Sequence, residues 1–194
     1  MNHLCFIFLL ASVAYGYNPE DFIHAFGATN YGFWGATEAC KNGSYAYGFQ
    51  LKIESEHGAF TDDTSVNAIK LFCRDPSGVD TGEVTSSVMS FGSWSTRRTC
   101  QDGSYVRGYM LKSDGTSSDL TAANALRMWC SGPSGEELIE PGNKWGGWLD
   151  RADCGGDKVI CGLMTLVQES QGSFNDDTAL NDVRFLCCDP PAVV

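Results

Sequence analysis

Basic residues are scarce in this 194-residue chain: 13 Lys and Arg stand against 24 Asp and Glu, a formal net charge of −11. Such acidity disfavours nucleic acid and anionic membrane surfaces and suits neutral or basic partners. Histidine is rarer still, with 3 residues, and no Cys-x-x-Cys pair occurs, so a zinc centre lacks its usual ligand sets. No metal and no cofactor is expected. Apolar runs are short as well. The stretch over residues 4–10 falls well under the roughly 20 residues that a spanning helix needs. Followed by Ala14-Tyr15-Gly16, it reads as the core of a secretory signal peptide, residues 1–16, cut before Tyr17. No membrane insertion is expected of residues 17–194, and the product should be secreted and extracellular.

What the chain does have is cysteine and glycine. Loss of residues 1–16 removes Cys5 and leaves an even set of eight cysteines, which in an oxidising compartment implies bridges. Abundant Gly, Ser, Asn and Asp with few helix-period stretches point to strands and turns. The length of residues 17–194 suits one domain.

Internal repetition is the strongest signal. Six residues before Cys40, Cys100 and Cys154 stand Trp34, Trp94 and Trp148, and two before each of those Gly32, Gly92 and Gly146. Eight residues after the cysteines come Gly48, Gly108 and Gly162. A second block ends on Cys73, Cys130 and Cys187. Thr64, Thr121 and Thr178 lie nine residues before them, and Asn67, Asn124 and Asn181 lie six before. An aliphatic residue (Ile69, Leu126, Val183) and a base (Lys70, Arg127, Arg184) follow each Asn. The chain is a triplicated unit, with repeats at about 28–75, 88–132 and 142–189.

Tyr45, Tyr47, Phe49, Leu51 and Ile53 alternate with smaller or polar residues, as in a half-buried strand. Tyr105, Tyr109 and Leu111 repeat the pattern, as do Val159, Leu163 and Val167. The strand closing each unit carries apolar residues on both faces, and the Gly-x-Trp segments supply a further strand. Three or four strands per unit, joined by loops, give an antiparallel all-β fold. Three equivalent sheets would then pack about a three-fold axis as a prism.

The cysteines follow the repeat. Cys40–Cys73, Cys100–Cys130 and Cys154–Cys187 would each close one unit, leaving Cys161–Cys188. Exchange of Cys187 and Cys188 as partners is the alternative, since both lie at one strand end. Trp34, Trp94 and Trp148 recur in every unit and are expected in the core. Trp145 sits outside the repeat columns. With Glu136, Glu137 and Glu140 it makes a candidate glycan contact, because aromatic faces stack on sugar rings and carboxylates accept their hydroxyls. Asn67, Asn124 and Asn181 either form a symmetric ring or satisfy nearby backbone, and the second is favoured. Asp62-Asp63-Thr64 and Asp176-Asp177-Thr178 read as turns that bond their own backbone rather than Ca²⁺ or sugar. Arg97-Arg98 reads as a solvated face. Asn42-Gly43-Ser44 is the one Asn-x-Ser/Thr site, in a turn where a glycan could sit.

Gly32-x-Trp34-Gly35, Cys40-x-x-Gly43-Ser44-Tyr45-Ala46-x-Gly48-Phe49 and Asp62-Asp63-Thr64-x-x-Asn67-x-Ile69-x-Leu71-x-Cys73 together resemble the vitelline membrane outer layer protein family. The resemblance implies a β-prism of three antiparallel Greek-key sheets with pseudo-three-fold symmetry and four disulfides. It also implies a structural role in an extracellular coat and an association with chitooligosaccharide-type glycans or glycoproteins; the acidity of the chain suits basic coat proteins as further partners. The middle unit departs from the pattern, with Ser118-Asp119-Leu120 where the others have Asp-Asp and Ser95 after its Trp. Two other functions compete. One is an enzyme that transfers or hydrolyses N-acetylglucosamine oligosaccharides through a carboxylate pair. Glu54, Glu56 and Glu169 are available beside the three glutamates above, but no acid/nucleophile motif holds them. The other is a defence lectin on the same scaffold. No catalytic residue is assigned.

Overall fold

The computed structural model describes residues 16–54, 65–114, 122–169 and 179–190. Most of residues 1–16, the three threonines at 64, 121 and 178, and the Asp-Asp-Thr turns lie outside these segments. In chain order the strands are β1 (Phe22–His24), β2 (Phe33–Trp34), β3 (Glu38–Ala39), β4 (Tyr45–Ile53), β5 (Val66–Arg74), β6 (Asp80–Val84), β7 (Ser93–Trp94) and β8 (Arg98–Thr99). They continue as β9 (Val106–Ser113), β10 (Ala123–Cys130), β11 (Glu137–Glu140), β12 (Gly147–Trp148), β13 (Ala152–Asp153), β14 (Val159–Val167) and β15 (Leu180–Cys188).

Three five-stranded antiparallel sheets form the prism. Sheet I runs β6-β5-β4-β7 with β8 also on β4, and sheet II runs β11-β10-β9-β12 with β13 on β9. Sheet III runs β1-β15-β14-β2 with β3 on β14. Each is a Greek key: a long hairpin, a third strand beside it, and a returning strand on the far edge. The returning strand belongs to the next repeat, so a sheet is not a repeat. Trp94 of the second unit pairs with Lys52 of the first, and Trp148 of the third with Lys112 of the second. Trp34 of the first unit pairs with Leu166 of the third, and β1 completes that sheet beside β15. The N-terminal segment thus closes the prism on its last hairpin.

Two bulges per hairpin explain columns that alternation alone does not. Opposite Phe72–Cys73, Trp129–Cys130 and Leu186–Cys187, the long strand carries one residue too many: Tyr47, Arg107 or Cys161. An extra residue reverses which face follows. Ala46, Val106 and Ile160 therefore join the main core, whereas Tyr45, Tyr105 and Val159 form a second, smaller cluster with Cys161 and Leu186. Simple alternation, which groups Tyr45 with Phe49 and Tyr105 with Tyr109, holds only on one side of the bulge. At the other end the unpaired residue is Asn67, Asn124 or Asn181. Each is fully buried, and its Nδ2 donates to the carbonyl of Ser65, Ala122 or Ala179 at 3.2, 3.2 and 3.3 Å. Those three carbonyls belong to residues held at φ +54°, +49° and +46°. The asparagines serve backbone, as favoured above, and steady a left-handed turn that L residues resist.

The bridges Cys40–Cys73, Cys100–Cys130 and Cys154–Cys187 each have Cα atoms 5.7–5.8 Å apart. Each closes one repeat in sequence, yet each joins two sheets in space. Cys40 N–H donates to Cys161 O of sheet III while Cys73 lies on β5 of sheet I. Cys100 likewise donates to Tyr47 O and Cys154 to Arg107 O, with their partners one sheet onward. Cys161–Cys188 is confined to sheet III.

The main core draws on all three sheets, with Phe49, Leu51, Tyr109, Leu111, Leu163 and Phe185 almost fully buried. Tyr109 stands where the other hairpins have Phe49 and Leu163. Its hydroxyl accepts the Ala25 N–H at 2.8 Å and donates to Val183 O at 3.0 Å. That tyrosine ties sheet II to sheet III and to the segment that closes the prism.

Candidate functional site

The repeated tryptophans are half-buried and lie outside the core. Each sits on a short edge strand against the base of the neighbouring repeat's hairpin. Arg184 lies over Trp34, Lys70 over Trp94 and Arg127 over Trp148, each 4.4 Å from the ring centroid. The core expectation is corrected for a physical reason. A repeated aromatic can be kept for a repeated cation–π contact on an outer face, worth about 0.5–1 kcal/mol at exposed sites. The side chains of Arg97 and Arg98 keep 38% and 40% of their surface exposed, as on a solvated face, and each is also engaged by a partner. Arg97 stacks 3.7 Å from the Phe72 centroid and pairs with Asp80 at 2.9 Å. Arg98 reaches the buried Glu140 at 3.4 Å, linking sheets I and II.

The candidate glycan residues are spread along sheet II. Glu136 accepts the Gln101 N–H at 3.1 Å, and Glu137 pairs with Arg127 at 3.3 Å near the Cys130 end of β10. Glu140 points inward, and Trp145 lies past the Asn124 end of the same strand. From Asn124 to Cys130 the strand is about 20 Å long, so Glu136 and Glu137 are not brought to Trp145.

Trp145 has counterparts in the other repeats. Tyr31, Phe91 and Trp145 each stand three residues before the repeated Trp. All three are exposed, at 49%, 45% and 42%. Identity columns miss them because the residue type changes; a column of aromatic character would find them. The glycines that follow hold φ +93°, +79° and +75°. A side chain at any of them would collide with the backbone of Val167, Ile53 or Ser113 at the end of a long strand. Each aromatic is thereby fixed beside the first residues after that strand: Gln168-Glu169, Glu54 and Asp114.

One of these three corners opens into a cavity of about 530 Å³, lined by Gly32, Phe33, Trp34, Gly35, Ser87, Val167, Gln168 and Glu169. Phe33 is 85% exposed. At the other two corners a lysine fastens the incoming segment: Lys52 Nζ donates to Met89 O and Ser90 O, and Lys112 Nζ to Asn143 O and Lys144 O. The matching position in sheet III is Leu166, which can make no such bonds. Ser87 closes the far wall, its N–H on Thr165 Oγ1 at 3.2 Å. An aromatic wall with a carboxylate, an amide and a hydroxyl is chemistry suited to a sugar ring.

Beside Trp34, His24 Nε2 lies 2.6 Å from Asp182 Oδ2. Burial lifts the Asp182 carboxyl above its ordinary value, against the opposing effect of the His24 hydrogen bond. The folded state therefore binds that proton more tightly than the unfolded chain. The stability tied to it is complete below pH 3.8 and declines as pH rises toward the higher folded-state value. Denaturant unfolding between pH 3 and pH 7 should show Asp182→Asn gaining on the native protein across that window; a constant difference would refute it.

A sequence model of the family described as Vitelline membrane outer layer protein I matches residues 22–190. The chain is 41% identical over 162 residues to the human vitelline membrane outer layer protein 1 homolog, covering 81% of this chain and 78% of that one. The mouse homolog is 39% identical over 167 residues, covering 82% and 81%. Among solved structures, artocarpin in complex with mannotriose aligns with TM-score 0.55 at 7% identity, over 87% of this chain and 97% of that one. A prostate-specific glycoprotein lectin, WGA16, aligns with TM-score 0.53 at 11% identity, over 87% and 99%. At such identities the structural likeness establishes the fold alone.

Proposed function

The chain belongs to the vitelline membrane outer layer protein I family, and we infer that it is a secreted component of an extracellular coat that holds neutral or amino-sugar glycans without transforming them. The corner cleft of sheet III carries this reading. It presents Phe33 and Trp34 as stacking faces beside Gln168, Glu169 and Ser87. Solved lectins of the same fold, one of them in complex with mannotriose, support it. Secretion rests on the signal-like residues 1–16 and on four bridges, which persist in oxidising compartments. The net charge of −11 suits basic coat proteins as further partners. Asn42 lies exposed in the turn before β4, open to carry a glycan of its own.

Titration with mannotriose and with N-acetylchitotriose tests the reading. Phe33→Ala should weaken the bound sugar about 5–10-fold, the loss of one stacking contact of about 1–1.4 kcal/mol. The oligosaccharides should be recovered with unchanged chain lengths. Longer or shorter products would favour the carbohydrate-active alternative, and no retention of either sugar would remove the glycan reading.

A further inference from the structure

The cavity beside Phe33 lies at one of three corners that share a backbone frame, an exposed aromatic followed by a wedged glycine. Tyr31, Phe91 and Trp145 are exposed, each leads into a left-handed glycine wedged on a strand end, and each adjoins an acid or amide after that strand. The three corners also share one end of the prism. At the opposite end Tyr45 and Val159 begin β4 and β14 and Tyr105 immediately precedes β9; the three belong to one cluster, and the rings of Tyr45 and Tyr105 are 5.3 Å apart. Ile53, Ser113 and Val167 therefore finish together at the other end. Asn143, two residues before Trp145, donates to Glu54 O beside the Phe91 corner at 3.3 Å, so adjacent corners touch.

Resting on the glycan reading above, we propose that this end carries three sugar-binding corners on one plan, headed by Tyr31, Phe91 and Trp145, the first open as a cleft and the other two laced by Lys52 and Lys112, and that the protein is a trivalent cross-linker of neutral glycan chains. Each corner sets an aromatic ring beside carboxylate or amide groups that accept sugar hydroxyls, and the Trp145 ring also carries Lys144 Nζ 4.4 Å from its centroid. Glu54, Asp114 and Glu169, on a chain of net charge −11, disfavour sulfated or acidic sugars, so the occupant is an uncharged oligosaccharide. Three weak sites facing one way would bind a glycan-bearing surface far more firmly than a free sugar. A coat component that fastens chains to one another needs that property.

The test uses the isotopically labelled, signal-free protein with mannotriose and N-acetylchitotriose, following the amide resonances of Gly32, Gly92 and Gly146, together with retention on beads bearing the same sugars. All three glycine amides should shift. Tyr31→Ala, Phe91→Ala and Trp145→Ala should each silence its own corner, and the triple variant should bind neither sugar. Because the three side chains are exposed, each variant should keep its unfolding midpoint within about 2 °C of the native value. Retention on beads should exceed the free-sugar affinity by about 100-fold, and each single variant should reduce it. If only Gly32 shifts, and Phe91→Ala and Trp145→Ala leave retention unchanged, trivalency is wrong and the single-cleft reading survives. If neither sugar moves any of the three amides, both readings fall. If the amides shift with protein concentration alone, this end is a contact between copies and the proposal is overturned.

Discussion

Phe185→Ala should lower the free energy of unfolding by about 4 kcal/mol, whereas Trp34→Ala should cost about 1 kcal/mol although it removes a larger side chain. Phe185 is fully buried on β15, and its ring meets Tyr109 edge-on at 4.7 Å, the residue whose hydroxyl ties sheet II to sheet III. Truncation there leaves a cavity bounded by more than one sheet, which cannot collapse by moving one strand. Trp34 lies half-buried on a two-residue edge strand, and losing it forfeits chiefly the Arg184 contact and part of an apolar surface. Denaturant unfolding of both variants checks the ordering. A larger loss for Trp34→Ala would mean that the edge strands, rather than the axial core, hold the prism closed.

Replacing Cys100 and Cys130 together by Ser should destabilise the protein by about 3–4 kcal/mol while leaving far-ultraviolet circular dichroism close to native. The two cysteines are 30 residues apart, and a closed loop of that length removes conformational entropy from the unfolded chain worth this amount. The bridge also ties Cys100, hydrogen-bonded to β4 of sheet I, to β10 of sheet II. Proteolysis of the double variant under native conditions should therefore quicken at the junction of these sheets. Removing Cys161–Cys188 should not quicken cleavage there, because that bridge joins two strands of sheet III already paired along their length. Equal protection at the junction in both double variants would show that the inter-sheet bridges act on the unfolded chain alone.

Much of the architecture is legible before any coordinates. Nine recurring columns without gaps inside either block establish the triplication, and strand periodicity with turn-rich joints establishes antiparallel sheets. Other features were misplaced for identifiable reasons. Recurrence of Trp34, Trp94 and Trp148 suggested a core, but a repeat conserves any contact it makes three times over, including one on an outer face. Trp145 falls outside the identity columns because its counterparts are Tyr31 and Phe91 and only their aromatic character is shared. Phe33, whose place in the other repeats is taken by Ser93 and Gly147, had no column at all to mark it. It marks the cleft only because Leu166 stands where Lys52 and Lys112 fasten the other corners.

By itself, then, the amino-acid order determined the three-fold repeat, the all-β class and the two long strands and Trp-bearing strand of each repeat, since these follow from local periodicity and spacing. Tertiary structure alone decided which strands share a sheet. The Trp-bearing edge strands β7, β12 and β2 each cross to the hairpin of another repeat, and β1 and β2 reach the last hairpin of the chain to complete sheet III. Backbone hydrogen bonds between strands carry almost no signature of the side chains involved, so pairing partners are not written into a strand's own residues. The bulges are hidden for the same reason. One extra residue at Tyr47, Arg107 or Cys161 reverses which side chains face inward, and it shows only when the opposite strand is in place.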